Sequence, residues 1–380
     1  MSKENQLSFT WFGPTKVHFG AGELSKLRSV VDEVSGSGSR VFLVTGRHSL
    51  RAQGILQKVL DDLGEERVTL FDQVTPFPSP ELVDRALGEC RAAAADVVVA
   101  VGGGSPLDLG KAVAILMVHD GTSQEYATGV KTLEKRGLPF VAVPTTSGAS
   151  SEVTPFAALW DLEGKRSMGL GSPLAFPTVA IVDPELTMTM PKMLAGNTGM
   201  DAFTSAFEAY WSLKSEPMAD AIELEVIRLY STYLERSCNE GDLESRSMCA
   251  LAATMSGIAY SNSSPNACHI FGGPLTLFWG TEHGQAVGIS LAPLLRWNAE
   301  AISHKLPALW NALGVNGLDE ATARIEQIIE TCGLETRLTA LGVGAGDLDT
   351  ILDNMRWDGL SVLPRNLERE DARALLQQIM

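Results

Sequence analysis

Positive charge is scarce in this 380-residue chain: 30 lysines and arginines stand against 46 aspartates and glutamates, a net charge of −16. No basic stripe is left to meet a phosphate backbone, so nucleic acid is excluded as the expected partner. No run approaches 18 uninterrupted apolar residues, so neither a membrane span nor a membrane partner is expected. The opening stretch, "MSKENQLSFTWFGPTK", has no apolar signal core. The five cysteines (Cys90, Cys238, Cys249, Cys268 and Cys332) form no C-x-x-C pair and are odd in number. That pattern points to reduced thiols and a cytoplasmic setting. Internal repeats and low-complexity tracts are also missing. What remains, 45% hydrophobic and 20% charged residues, is the composition of a folded protein long enough for two full cores.

The first half alternates strand and helix signals. "RVFLVTG" (40–46), "RVTLFDQV" (67–74), "DVVVAVGGGS" (96–105), "PFVAVPTTSG" (139–148) and "TVAIVDP" (178–184) read as strands. Between them, "HSLRAQGILQKVLDDLG" has helical spacing, and "SPELVDRALGECRAAA" (79–94) opens with a serine cap and a first-turn proline. Apolar strands separated by helices imply a parallel sheet covered on both faces, with ligands at the carboxyl ends of the strands. Beyond about residue 190 every long segment carries 3.6-residue periodicity, from "EPMADAIELEVIRLYSTYLERS" to "EREDARALLQQIM". The expected fold is an α/β dinucleotide-binding domain with a parallel sheet over 1–187, then an all-α metal and substrate domain over 188–380. A cleft between them is the expected active site.

In "VAVGGGSPLDLGKAVA", Gly102, Gly103 and Gly104 follow a strand, and Ser105 and Asp108 open a helix. Glycines admit a pyrophosphate close to the backbone, and a helix N-terminus offers free N–H groups to it. Thr145 and Thr146 end another strand on the same rim. After the second strand, where an acid would bind a ribose 2′-hydroxyl, the chain has Gly46 and Arg47, a pattern that suits a 2′-phosphate and hence NADP(H) over NAD(H). Arg47 reads nearly as well as a solvated surface charge. In "TGMDAFTSAFEAYWS" (198–212), Asp201 is read as opening a helix, with Ser205 four residues on along the same face. His269 and His283 lie 14 residues apart. With an acid from a separate helix they form a candidate metal constellation.

Together, "KVHFGAGELSKL", "GGGSPLDLGKAVA", "PTTSGASSEVT", "VAIVDPELTMTMP", "TGMDAFTSAFEAY", the His269–His283 segment and "PRNLEREDARALL" resemble the iron-dependent (group III) alcohol dehydrogenases over nearly the whole chain. The resemblance implies hydride transfer between NAD(P)(H) and a small alcohol or aldehyde, and a homodimeric assembly. It places the glycine loop on the pyrophosphate and Thr145, Thr146 and Thr154 along the cofactor. Asp201, His269 and His283 fall on three of the family's four ligand positions for a divalent metal, iron or zinc. The same three residues are the expected catalytic group. Ser205 stands where the family places a fourth ligand, a histidine. Gly273 replaces another common histidine, and Ser167 replaces a lysine that contacts cofactor. The stretch "SNSSPNACHIFGGPLTLFWGTEHG" is most similar to the branch that reduces aldehydes with an anionic phosphonate or sulfonate head. With Ser205 in place of a ligand, two alternatives stand: a metal-free reductase of the maleylacetate reductase kind, and a non-catalytic nucleotide-binding relative.

Overall fold

The computed structural model describes residues 8–263 and 266–380, so the N-terminal stretch read as lacking a signal core lies partly outside it. Six parallel strands form the main sheet: β1 (Lys16–Phe19), β2 (Val41–Gly46), β3 (Val68–Val74), β4 (Val97–Gly102), β5 (Phe140–Pro144) and, after a separate hairpin, β8 (Val179–Val182). Their spatial order is β1-β8-β5-β4-β2-β3. The continuous apolar runs follow from burial on both faces. In β4, Val97, Val99 and Val101 pack into one hydrophobic cluster with the helices Leu27–Ser35 and Ile55–Leu63. Val98 and Ala100 pack into the other, against the helices Pro80–Ala92 and Gly104–Leu116.

Two features depart from the sequence reading. The segment from 48 to 64 is not one helix: Gly54, at φ 70, breaks it into Ser49–Ala52 and Ile55–Leu63. Residues 156 to 171 form an antiparallel hairpin, β6 (Phe156–Asp161) with β7 (Arg166–Gly171), outside the parallel sheet. Phe156 to Leu159 alternate exposed and buried as a half-buried strand should, and Trp160 is then buried out of turn. An Asp161–Arg166 ion pair closes its turn.

After β8 the chain is helical. The site uses α1 (Gly104–Leu116) from the sheet half and α2 (Lys192–Trp211), α3 (Pro217–Asn239), α4 (Leu243–Tyr260), α5 (Ala267–Trp279) and α6 (His283–Gly288) from the helical half. Asp201 does not open its helix. The first residue of α2 is Lys192, which puts Asp201 mid-helix. The glycines before it serve packing: a Cβ on Gly199 would lie 2.3 Å from Leu234 of α3. Phe203 and Phe207, fully buried one turn apart, fix the orientation of α2 in the helical core. No helix among the described residues is long and apolar enough to cross a membrane.

Candidate functional site

In the sheet, β2 pairs with β3 on one side and β4 on the other. Strand order reverses there, and a crevice opens at the carboxyl ends where doubly wound sheets take ligands. Register places Thr45 beside Val101, so Gly46 and the glycine loop emerge side by side. A cavity of about 670 Å³ at this point is lined by Gly46, Arg47, Gly102, Gly103, Gly104, Ser105, Thr145 and Thr146, together with residues of the helical half. The loop has no room for side chains. A Cβ on Gly102 would lie 2.6 Å from Pro106, and one on Gly104 would lie 2.8 Å from Ala149. The first N–H groups of α1 therefore face the cleft at close range, as anion binding requires. Arg47 donates to the Gln73 carbonyl at 3.4 Å and has no carboxylate partner among the described residues.

Thr154 and Asp108 line a neighbouring cavity rather than this one. Asp108 accepts from Ser151 Oγ at 2.6 Å and from the Ala158 N–H at 3.0 Å, tying α1 to the hairpin. Lys111, one turn on, donates to Ser151 and to the Phe156 carbonyl. Burial pulls its pKa down to about 8, against the opposing pull of Asp108 and Glu152.

That second cavity, about 380 Å³, joins the glycine loop to Asp201, Ser205, His269 and His283. Asp201, Ser205 and Glu208 share one face of α2 by their i, i+4, i+7 spacing. Asp201 Oδ1 lies 3.4 Å from His269 Nε2 and 3.9 Å from His283 Nε2. Two donors at about 2.1 Å from a tetrahedral ion stand about 3.4 Å apart, so one carboxylate and two imidazoles at these separations fit a first-row divalent metal. Each ring is held separately. Glu208, fully buried, accepts from His269 Nδ1 and, at 2.5 Å, from the Cys268 N–H, which turns Nε2 of His269 toward Asp201. His283 opens α6, and the next residue, Gly284, sits against α2 so closely that a Cβ would lie 1.7 Å from the Asn197 carbonyl. Trp160 of the hairpin meets the His283 ring edge-on, centroids 6.0 Å apart.

The charge states suit ligation. Burial opposes ionisation of Asp201, but its hydrogen bond to His269 and the charges of both histidines hold its pKa below the usual carboxylate value. Burial lowers the pKa of His283 and Asp201 only partly offsets it, so the ring is neutral with a free lone pair. His269 is different. Burial opposes its charge, yet Glu208 and Asp201 prevail and raise it to about 10, so a metal at this ring would have to displace a proton. Ser205, buried on the next turn of α2, adds a hydroxyl where the other donors are strong.

Sequence reasoning missed Glu208, Lys111 and Trp160. The spacing from Asp201 to Glu208 was a readable signal. The other two depend on the hairpin, which went unread.

Models of known families match the chain in two blocks: an iron-containing alcohol dehydrogenase model over residues 14–184, and the C-terminal model of the same family over 195–380. The chain belongs to the iron-containing alcohol dehydrogenase family. It is 33% identical to long-chain-alcohol dehydrogenase 1 of Geobacillus thermodenitrificans, covering 89% of this chain and 88% of that one. It is 30% identical to 4-hydroxybutyrate dehydrogenase of Cupriavidus necator, covering 96% and 98%. Sulfoacetaldehyde reductase from Bifidobacterium kashiwanohense, solved with NAD+, superposes with a TM-score of 0.92 at 26% identity, covering 98% of this chain and 99% of that one. Membership makes this protein an NAD(P)-dependent oxidoreductase of alcohols and aldehydes, in a family that implies a divalent metal.

Proposed function

We propose that the protein reduces a small aldehyde bearing an anionic group, with NADP(H) preferred over NAD(H), and that Asp201, His269 and His283 hold the divalent metal. The observation that carries the reading is the convergence of these three donors on the cavity that also touches Gly104 and Ser105. Cofactor cleft and metal donors share a wall, as hydride transfer between nicotinamide and a bound carbonyl requires. When bound, the metal polarises the carbonyl and stabilises the developing alkoxide. The glycine loop and the N-terminus of α1 hold the pyrophosphate. Phe156 and Trp160 line the site from the hairpin side. Gly46 and Arg47 leave space and positive charge for a 2′-phosphate. Similarity to relatives named for 4-hydroxybutyrate and sulfoacetaldehyde supports the anionic group.

The test is elemental analysis of purified protein, followed by chelator stripping, reconstitution with iron or zinc, and turnover with NADPH or NADH on a panel of aldehydes. Metal near one per chain and activity that returns only on reconstitution are expected. Undiminished activity in metal-free protein would establish hydrogen-bond polarisation of the carbonyl instead, with His269 or His283 as proton donor. Cofactor binding without turnover on any aldehyde would mark a non-catalytic relative.

A further inference from the structure

Beyond His269 and His283, on the side away from the glycine loop, lies a third cavity of about 380 Å³. Trp160 and Met168 from the hairpin and Ile270 and Leu277 of α5 give it apolar surface, and Ser167, Asn266 and Asn354 add polar groups. Its lining contains no carboxylate, in a chain whose net charge is −16. It does contain Arg356. No hydrogen bond or ion pair from the Arg356 guanidinium is found among the described residues, whereas nearby Arg369 and Arg373 are both paired with Asp349.

The backbone that presents Arg356 is held in place. Its carbonyl accepts the Gly359 N–H at 3.0 Å, and Trp357 Nε1 donates to the Leu352 carbonyl at 2.9 Å. Gly359 packs against the residue after His269: a Cβ there would lie 2.8 Å from Ile270 Cδ1. On α5, one turn past His269, a Cβ on Gly273 would meet nothing within 4 Å, so space lies open along the helix.

We infer that Arg356 receives the anionic head of the substrate, a carboxylate, sulfonate or phosphonate on a short aldehyde whose carbonyl lies at Asp201, His269 and His283. A guanidinium offers parallel N–H donors that match two oxygens of such a group. The inference rests on the proposed carbonyl reduction, and names the residue that selects among aldehydes.

The experiment compares kcat/KM on length-matched probes, 4-oxobutanoate against butanal and sulfoacetaldehyde against propanal, for wild type, Arg356→Ala and Arg356→Lys. Wild type is expected to favour the anionic member of each pair. In Arg356→Ala the anionic-to-neutral ratio falls about 10- to 100-fold, mostly through KM, and Arg356→Lys recovers part of it. A folding defect would lower both members of a pair alike and leave the ratio unmoved. Calorimetry of the metal-loaded protein with 4-hydroxybutanoate gives a second readout without turnover, with binding to wild type weakened in Arg356→Ala. A ratio and an affinity that Arg356→Ala leaves unchanged would overturn the inference while the aldehyde reductase reading stands. Loss of turnover on every aldehyde, with 4-hydroxybutanoate still held through Arg356, would defeat that reading and keep the anion site.

Discussion

The candidate nucleotide cleft and the candidate metal cluster are built from different material. The phosphate end of the cleft is largely backbone: three glycines, the first turn of a helix, and a strand end beside them. The cluster is all side chain, from α2, α5 and α6, with each ring held by a different contact. At Gly102 and Gly104 the backbone site tolerates no added atoms, but it depends little on distant residues. A side-chain site tolerates changes of residue, yet depends on every contact that aims a ring.

Removing a donor from the second site breaks this contrast most sharply. His283→Ala leaves two donors and is expected to abolish metal binding and lower turnover by about 1,000-fold or more. Elemental analysis and turnover check it, and unchanged metal content in the variant would refute the assigned donor set. Gly104→Val attacks the backbone site. Its side chain collides with Ala149, so cofactor affinity should fall about 100-fold while metal content is kept. Fluorescence titration with NADPH measures the first and elemental analysis the second; loss of both together would show that the two sites are not separable.

Substituting a support rather than a donor sharpens the contrast. Glu208→Ala releases His269 and should weaken metal affinity about 10- to 100-fold, less in Glu208→Gln, which retains one acceptor. Ser205→His should act in the opposite direction by adding an imidazole one turn from Asp201. A competitive metal titration ranks the four proteins, and equal affinities would remove the support role. On the cofactor side, Gly46→Asp should shift preference toward NADH about 10-fold or more. A Cβ at 46 meets only ordinary contacts, 3.8 Å from the Val74 carbonyl, so the change tests charge rather than fit. Tighter binding of NADH than NADPH by wild type would end the argument from Gly46 and Arg47.

The smallest effect concerns Glu223, a fully buried carboxyl of α3. Burial raises the Glu223 pKa well above the ordinary 4.5, with Ser256 offsetting only part of it. Above pH 4.5 the unfolded chain releases this proton while the native state keeps it, so the native state loses stability as pH rises. Glu223→Gln should therefore raise Tm by a few degrees at pH 8 and change it little at pH 4, as calorimetry would show.

Much of the backbone site was legible. Glycines after a β-branched run, with a helix pattern behind them, have a local meaning that three-dimensional context rarely overrides. Asp201, His269 and His283 were legible as residue types through family resemblance. The start of α2 lies nine residues before Asp201, at Lys192, and the glycines between them are packing positions, Gly196 against Cys332 and Gly199 against Leu234. The hairpin was passed over because its alternation is short and lies between stronger signals. With it went Trp160 and one wall of the substrate cavity.

By itself the sequence determined the parallel sheet, the glycine-rich loop at a strand end, the helical second half and the residue types of three candidate metal donors. Those properties reside in local periodicity and in residue types at fixed short spacing. Tertiary structure alone decided that Asp108 braces the hairpin, that Glu208 aims His269, that Gly284 seats His283 against α2, and that Arg356 reaches the cavity beyond both rings. Each joins segments far apart in the chain, 50 residues for Asp108 and Ala158 and 61 for Glu208 and His269. Contacts over such separations form only when helices and sheet pack, and side-chain geometry at that range is set by the volumes of neighbours that no local pattern encodes.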